Sequence, residues 1–144
     1  MATLGRALAI TAVAFADRTD RGDRPYMEHC LYVMEGGRRF GDAVMMAYLM
    51  HDLLEDCPEW TRERLVEEGF PALTIRIIVA MTHLEGESYD DYIKRIATEM
   101  YAPTGKRRDL RHNMDVTRLK GLRKKDFDRL EKYARAHEYL KDMT

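Results

Sequence analysis

The stretch AVMMAYLMHDLLED, residues 43–56, opens with eight residues that carry no charge and closes on a histidine and three acids. A helix that is apolar nearly all round is the buried centre of its domain, so this run predicts a central helix from about Gly41 to Glu55. Pro58 stops it. On such a helix, residues three or four apart share a face, which stacks His51 over Glu55 and Asp52 over both Glu55 and Asp56. The adjacent His51 and Asp52 can offer an imidazole nitrogen and a carboxylate oxygen to one point. Carboxylates at the end of a buried helix are costly without partners, and a divalent cation would relieve that cost. The alternative is a helix end emerging into solvent with ordinary acids, although acids at a C-terminus oppose the helix dipole.

Outward from this centre the chain reads as helix after helix. Leu4, Leu8, Ala12 and Phe15 mark one face of a first helix over about 3–16. The polar loop DRTDRGDRP follows, rich in turn formers. A second helix runs from Met27 to about Glu35, where Gly36 and Gly37 end it. Beyond Pro58, Thr61 opens a polar surface helix. The run LTIRIIVAMTHL (73–84) is rich in β-branched residues and could pass for a strand, but its length and helical neighbours favour helix. Ser88 is placed to cap a helix through SYDDYIKRIATEM (88–100), with Asp90 and Asp91 in its first turn. Pro103 and Gly105 predict a break before KRRDLRHNMDVTRL. A last helix, about 124–142, aligns Phe127, Leu130, Tyr133, Ala134 and Leu140. The expectation is an all-α, bundle-like fold of about six to eight helices, forming a single domain over residues 1–144.

Composition narrows the function classes. The 144 residues are 45% hydrophobic and 34% charged, as in an ordinary folded protein. A formal net charge of −1 supplies no global basic field for nucleic acid or membrane binding. The local runs Lys106-Arg107-Arg108 and Arg123-Lys124-Lys125 read as solvated helix faces. Cys30 and Cys57 lack zinc spacing and suggest neither a metal knuckle nor a disulfide framework, so a reducing, cytoplasmic setting is expected. RALAITAVAFA has some features of a secretory signal, and Leu4, Leu8, Ala12 and Phe15 also recur as on a core-facing helix, so at this point both readings stand.

Further candidates lie outside the central run. His29 begins the second helix after Pro25-Tyr26; alone, such a histidine is more often structural than ligating. Asp109 and Asn113 share a helix face, with His112 beside them. The order His29, His51-Asp52, Asp109 resembles the HD-domain metal-dependent phosphohydrolases. The pieces RPYMEH, AYLMHDLLED and DLRHNM resemble more closely the hydrolase domain of RelA/SpoT-type alarmone enzymes and their small stand-alone relatives. Weaker similarity runs through VAMTHLEGESYDDYIKRI and RLEKYARAHEYL, so the resemblance covers nearly the full chain, the first helix included.

The resemblance implies an HD-domain helical bundle in which His29, His51, Asp52 and Asp109 ligate one divalent metal, manganese being that family's usual choice. Such ligands also suit other divalent ions. It implies that Glu55 and Asp56 activate or position water, that Asn113 faces substrate, and that Arg21, with Arg18 and Arg24, contacts phosphates. The expected activity is hydrolysis of guanosine 3′,5′-bis(diphosphate), (p)ppGpp, at the 3′ position with release of pyrophosphate. Alternatives are another HD phosphohydrolase, acting on deoxynucleotides, nucleotide monophosphates or the 2′-phosphate of NADPH, or a silent nucleotide-binding module. The expected partner is a small nucleotide, without nucleic acid or membrane; oligomeric state is not legible. Two positions depart from the family pattern. Cys30 stands where proline is common, and Arg107-Arg108 replace apolar residues before Asp109. Either the helix start is exposed here or the arginines serve a polyanionic substrate.

Overall fold

A computed structural model describes all residues, 1–144, and it is all-helical. The α-helices are α1 (Leu4–Ala14), α2 (Tyr26–Glu35), α3 (Asp42–Leu49), α4 (Leu53–Asp56), α5 (Arg62–Glu67), α6 (Ala72–Met81), α7 (Tyr89–Ala97), α8 (Ala102–Asn113) and α9 (Lys124–Leu140). Short 3-10 turns follow α2, α8 and α9. With the one-turn α4 set aside, eight helices remain, and the expected all-α bundle is the fold found. An isolated bridge between Thr19 and Pro25 is the sole β-type pairing.

Helix α3 lies at the centre, packed by α1, α2 and α6. Every residue from Val44 to Met50 is at most 4% exposed, as its uncharged run demands. Removing such side chains from water contributes roughly 1.5–3 kcal/mol each. Gly105 of α8 completes the packing: a Cβ there would stand 2.6 Å from Cε1 of Tyr48, whose hydroxyl donates to Tyr101 O at 2.6 Å. The β-branched run is helical (α6), with Thr74, Ile75, Ile77 and Ile78 buried. Thr61 and Ser88 cap α5 and α7 as expected, accepting from Arg64 N and Asp91 N. No helix is long and apolar enough to cross a membrane.

Four expectations change. Pro103 and Gly105 do not break the chain. They lie inside α8, where proline's missing N–H costs nothing in the first turn. In α1 the expected Leu4, Leu8 and Phe15 do pack on the core, but Ala7, Ile10 and Thr11 are the buried positions within the helix and Ala12 is exposed. In α9 the buried positions are Asp126, Ala136 and Leu140, and Phe127 and Ala134 face outward. Each face is rotated by the neighbour it meets, which periodicity alone does not specify.

The fourth change concerns the centre. The helix expected through Glu55 stops at Leu49 and restarts at Leu53. Met50 N still donates four residues back, to Met46 O. His51 N and Leu53 N donate only three back, to Tyr48 O and Met50 O. Asp52 sits at φ −95°, ψ 0°. The kink falls on the two residues with the strongest chemistry.

Candidate metal centre and adjoining cavity

On an unbroken helix, His51 and Asp52 would point about 100° apart. The tight turn between α3 and α4 swings them together, and His51 Nε2 lies 3.0 Å from Asp52 Oδ2. From α2, His29 brings its Nε2 to 3.8 Å from the same oxygen. From α8, Asp109 brings Oδ1 to 3.0 Å from His29 Nε2 and 3.4 Å from His51 Nε2. Two helices and one turn thus deliver two imidazole nitrogens and two carboxylate oxygens to one small volume. Both histidines and Asp109 are buried, and Asp52 nearly so.

The donor set suits a divalent cation. His51 Nδ1 lies 2.8 Å from the carbonyl oxygen of Tyr48, which can only accept. The Nδ1 proton is therefore committed there, and Nε2 is the nitrogen whose lone pair a cation could take in place of a proton. That buried Nε2 makes no aligned hydrogen bond, an orphan which a cation would satisfy. The ligand atoms of His29, His51 and Asp52 all lie within 4.8 Å of one another, close enough to hold one ion.

Electrostatics agree. Burial opposes ionisation of Asp52 and Asp109, yet neighbouring cationic groups win and hold both below the ordinary carboxylate range: His51 at Asp52, and Lys106 with the two histidines at Asp109. Burial likewise opposes protonation of His51, and the two carboxylates outweigh it, raising its pKa well above the usual value. The volume is built to hold positive charge between two carboxylates.

A surrounding layer holds these groups still. Tyr26 donates its hydroxyl to Asp52 Oδ2, and burial followed by the Asp52 charge raises its pKa, so the donor stays protonated. Lys106 Nζ donates to Asp109 Oδ2 at 2.7 Å, and Asn113 Nδ2 to Asp109 Oδ1 at 2.9 Å. His112 Nδ1 lies 2.8 Å from His29 Nδ1. Burial, then the Arg118 and His29 charges, lower the pKa of His112 to about 4, so it is neutral at ordinary pH. Lys106 is thus not part of a solvated helix face, as its basic run suggests, because the Asp109 carboxylate draws it inward; the sequence places Tyr26 and His112 beside candidate ligands without assigning them a task. Their signal was only proximity in sequence to His29 and Asp109.

Glu55 and Asp56 sit one turn on. Glu55 accepts from His83 N, and Asp56 Oδ2 pairs with Arg18 Nη1 at 2.9 Å. Burial is the leading cause that raises both carboxyls above their ordinary values, aided by the Asp52 charge. Cys30 is fully buried; burial, then Asp52, pushes its thiol up, which makes it a filler rather than a thiolate.

A cavity of about 360 Å³ opens beside the cluster and shares His29 and Tyr26 with it. Four arginines line it: Arg18, Arg21, Arg118 and Arg129. Three are already paired, with Asp56, Asp20 and Asp126 respectively, and Arg21 alone has no carboxylate partner. Asn113 and Tyr133 complete the wall nearest α8 and α9. Of the predicted residues, Arg18, Arg21 and Asn113 reach this cavity. Arg24 does not; its guanidinium pairs with Glu28 on the surface. Arg118, Arg129 and Tyr133 were missed because they are 89 residues or more beyond His29 in sequence.

No family model and no curated protein matches the sequence. Among solved structures, the chain is similar to a metazoan ortholog of SpoT that hydrolyzes ppGpp and plays a role in starvation responses. The TM-score is 0.81 at 18% identity, over 100% of this chain and 88% of that one. At that identity the likeness establishes a common fold, and the chemistry has to be argued from the site.

Proposed function

We propose that this protein is a metal-dependent phosphohydrolase that removes pyrophosphate from the 3′ position of guanosine 3′,5′-bis(diphosphate). The observation that carries the reading is the convergence of His29, His51, Asp52 and Asp109 around an orphaned imidazole nitrogen, beside an arginine-lined cavity. The fold shared with a ppGpp hydrolase supports the choice of nucleotide. His29, His51, Asp52 and Asp109 would hold one divalent ion, with manganese the first candidate. When bound, such an ion acidifies a water and stabilises charge on phosphate oxygens.

The protein's own groups do the rest. Glu55 and Asp56, whose carboxyls burial and the Asp52 charge raise above their ordinary values, can accept the proton that the attacking water gives up. Arg21 is free to bind a phosphate at once, whereas Arg18 can reach one by leaving Asp56, through charge-assisted hydrogen bonds. Asn113, tied to Asp109, carries its amide at the boundary between ion and cavity. Water adds to the phosphorus of the 3′ pyrophosphoryl group, the bond from that phosphorus to the 3′ oxygen breaks, and GDP and pyrophosphate result.

Incubating the purified protein with ppGpp and Mn²⁺ is expected to release pyrophosphate, and His51→Ala is expected to lose both bound metal and turnover. Turnover of NADPH or a deoxynucleotide in place of ppGpp would overturn the substrate while leaving the phosphohydrolase reading. A wild-type protein that binds no divalent ion would overturn the whole.

A further inference from the structure

Arg108 does not serve the cavity. Its Nε donates to the backbone oxygen of Tyr32 at 2.9 Å, and its guanidinium carbon lies 3.7 Å from the centre of the Tyr32 ring. Gly36 makes room for the arginine's stem, since a Cβ at position 36 would stand 2.9 Å from Arg108 Cγ. Tyr32 also stacks on His112, with ring centres 4.2 Å apart and planes 15° from parallel. His112 in turn meets His29 edge to edge. The ring centres are 5.0 Å apart, the planes differ by 18°, and the two Nδ1 atoms are 2.8 Å apart, the geometry of an in-plane N–H···N hydrogen bond. The line of contacts runs from guanidinium to phenol ring to imidazole, and then to the buried imidazole of the cluster.

We infer that Arg108, Tyr32 and His112 form a positioning column that fixes the ring angle and tautomer of His29. The inference rests on the reading of His29 as a metal ligand. A neutral imidazole carries one proton and one lone pair. If His29 Nε2 is to ligate, its proton must sit on Nδ1, and the atom facing it must accept. His112 Nδ1 is that acceptor. Its ring cannot turn without losing both the stack on Tyr32 and the hydrogen bond, and Arg118 Nη1 holds its backbone carbonyl at 2.7 Å. Outer partners of this kind set the orientation and basicity of a ligating histidine, and their loss typically costs about 10–100-fold in metal affinity. The arginine at position 108 is thereby accounted for as a clamp on Tyr32 rather than a phosphate binder.

The test compares wild type, His112→Phe, His112→Asn and Arg108→Ala. His112→Phe keeps a ring to stack on Tyr32 but removes the acceptor; His112→Asn restores an acceptor oxygen. Calorimetric titration with Mn²⁺ is expected to show about 10–100-fold weaker binding for His112→Phe. Most of that affinity should return in His112→Asn, with Arg108→Ala intermediate. Nitrogen NMR of the histidine-labelled protein loaded with diamagnetic Zn²⁺ is expected to show a hydrogen-bonded Nδ1–H on His29 in wild type and an unprotected, fast-exchanging one in His112→Phe. Unchanged Mn²⁺ affinity in His112→Phe overturns the inference. So does an equal loss in both His112 variants that tracks thermal stability with the His29 tautomer intact, the mark of a merely structural pair. Wild type that binds Mn²⁺ and depends on His112 but leaves ppGpp intact supports the column and sinks the proposed substrate. A wild type that binds no Mn²⁺ removes the metal reading and the column with it.

Discussion

Asp109 divides its two oxygens between two tasks. Oδ2 accepts from Lys106 Nζ, whose side chain is 12% exposed, while Oδ1 faces His29 and His51. Burial would discharge the lysine, but the Asp109 carboxylate, followed by the nearby tyrosines, holds its pKa well above the ordinary value. The ammonium also lies 5.1 Å from the centre of the Tyr92 ring. Breaking a buried pair by removing one partner costs about 3–5 kcal/mol, because the other charge is left uncompensated. Lys106→Met is expected to lower the urea midpoint strongly in a chelator. Mn²⁺ should recover part of that loss, since a second cation on Oδ1 would compensate the same carboxylate. An equal loss with and without Mn²⁺ would place no ion at Asp109.

The segment between α1 and α2 is polar yet ordered. Asp20 Oδ1 accepts from Gly22 N and Arg24 N, and Asp20 Oδ2 pairs with Arg118 at 2.7 Å, beyond the end of α8. Gly22 is required by contact: a Cβ there would stand 2.1 Å from the carbonyl oxygen of Arg118. The turn is thus pressed against the 3-10 segment Val116–Arg118, and together they wall the cavity. Gly22→Ala must push these two backbones apart. Trypsin is expected to cut faster after Arg18 and Arg21 in this variant, with little change in melting temperature, because the core lies elsewhere. Wild-type cleavage rates would show that the two segments separate without cost.

At the scale of the molecule, one ion pair ties the far side of the bundle. Arg95 of α7 bonds the backbone oxygens of Val79, Ala80 and Thr82 at the end of α6, and its guanidinium pairs with Glu87. The segment so held carries His83, whose N–H bonds Glu55. The Arg95 hydrogen bonds, against a smaller opposing effect of burial, lower Glu87 to about 2 from an ordinary 4.5. A depressed carboxylate contributes stability that is complete above its unfolded value and lost as pH falls through its folded one. The stability difference between wild type and Glu87→Gln should therefore be constant above pH 4.5 and shrink between about 4.5 and 2. Urea midpoints across that range measure it; a difference that holds at low pH would assign it to hydrogen bonding alone.

The helical fold was legible because the core is written in local pattern. AVMMAYLM carries no charge, Thr61 and Ser88 are caps, and Pro58 is a stop. These act within a turn or two of chain, so a linear reading recovers them. The same local rules mislead where a neighbour decides: Pro103 and Gly105 look like a break, yet α8 accepts the first at its opening turn and needs the second to admit Tyr48. The candidate site divides the same way. Residue types and order in His29, His51-Asp52 and Asp109 pointed to metal chemistry. What the sequence by itself determined is an all-helical bundle and four candidate donor groups. Only the tertiary structure decided that the helix breaks between Leu49 and Leu53, where the side chains of His51 and Asp52 meet. It also decided that Arg24 turns away, that Arg118 and Arg129 enter the cavity, and that Arg108 reaches His29 through two rings. The physical reason is range: propensity and capping act over a few residues, whereas convergence of charge depends on which helices pack, and that is a property of the whole core.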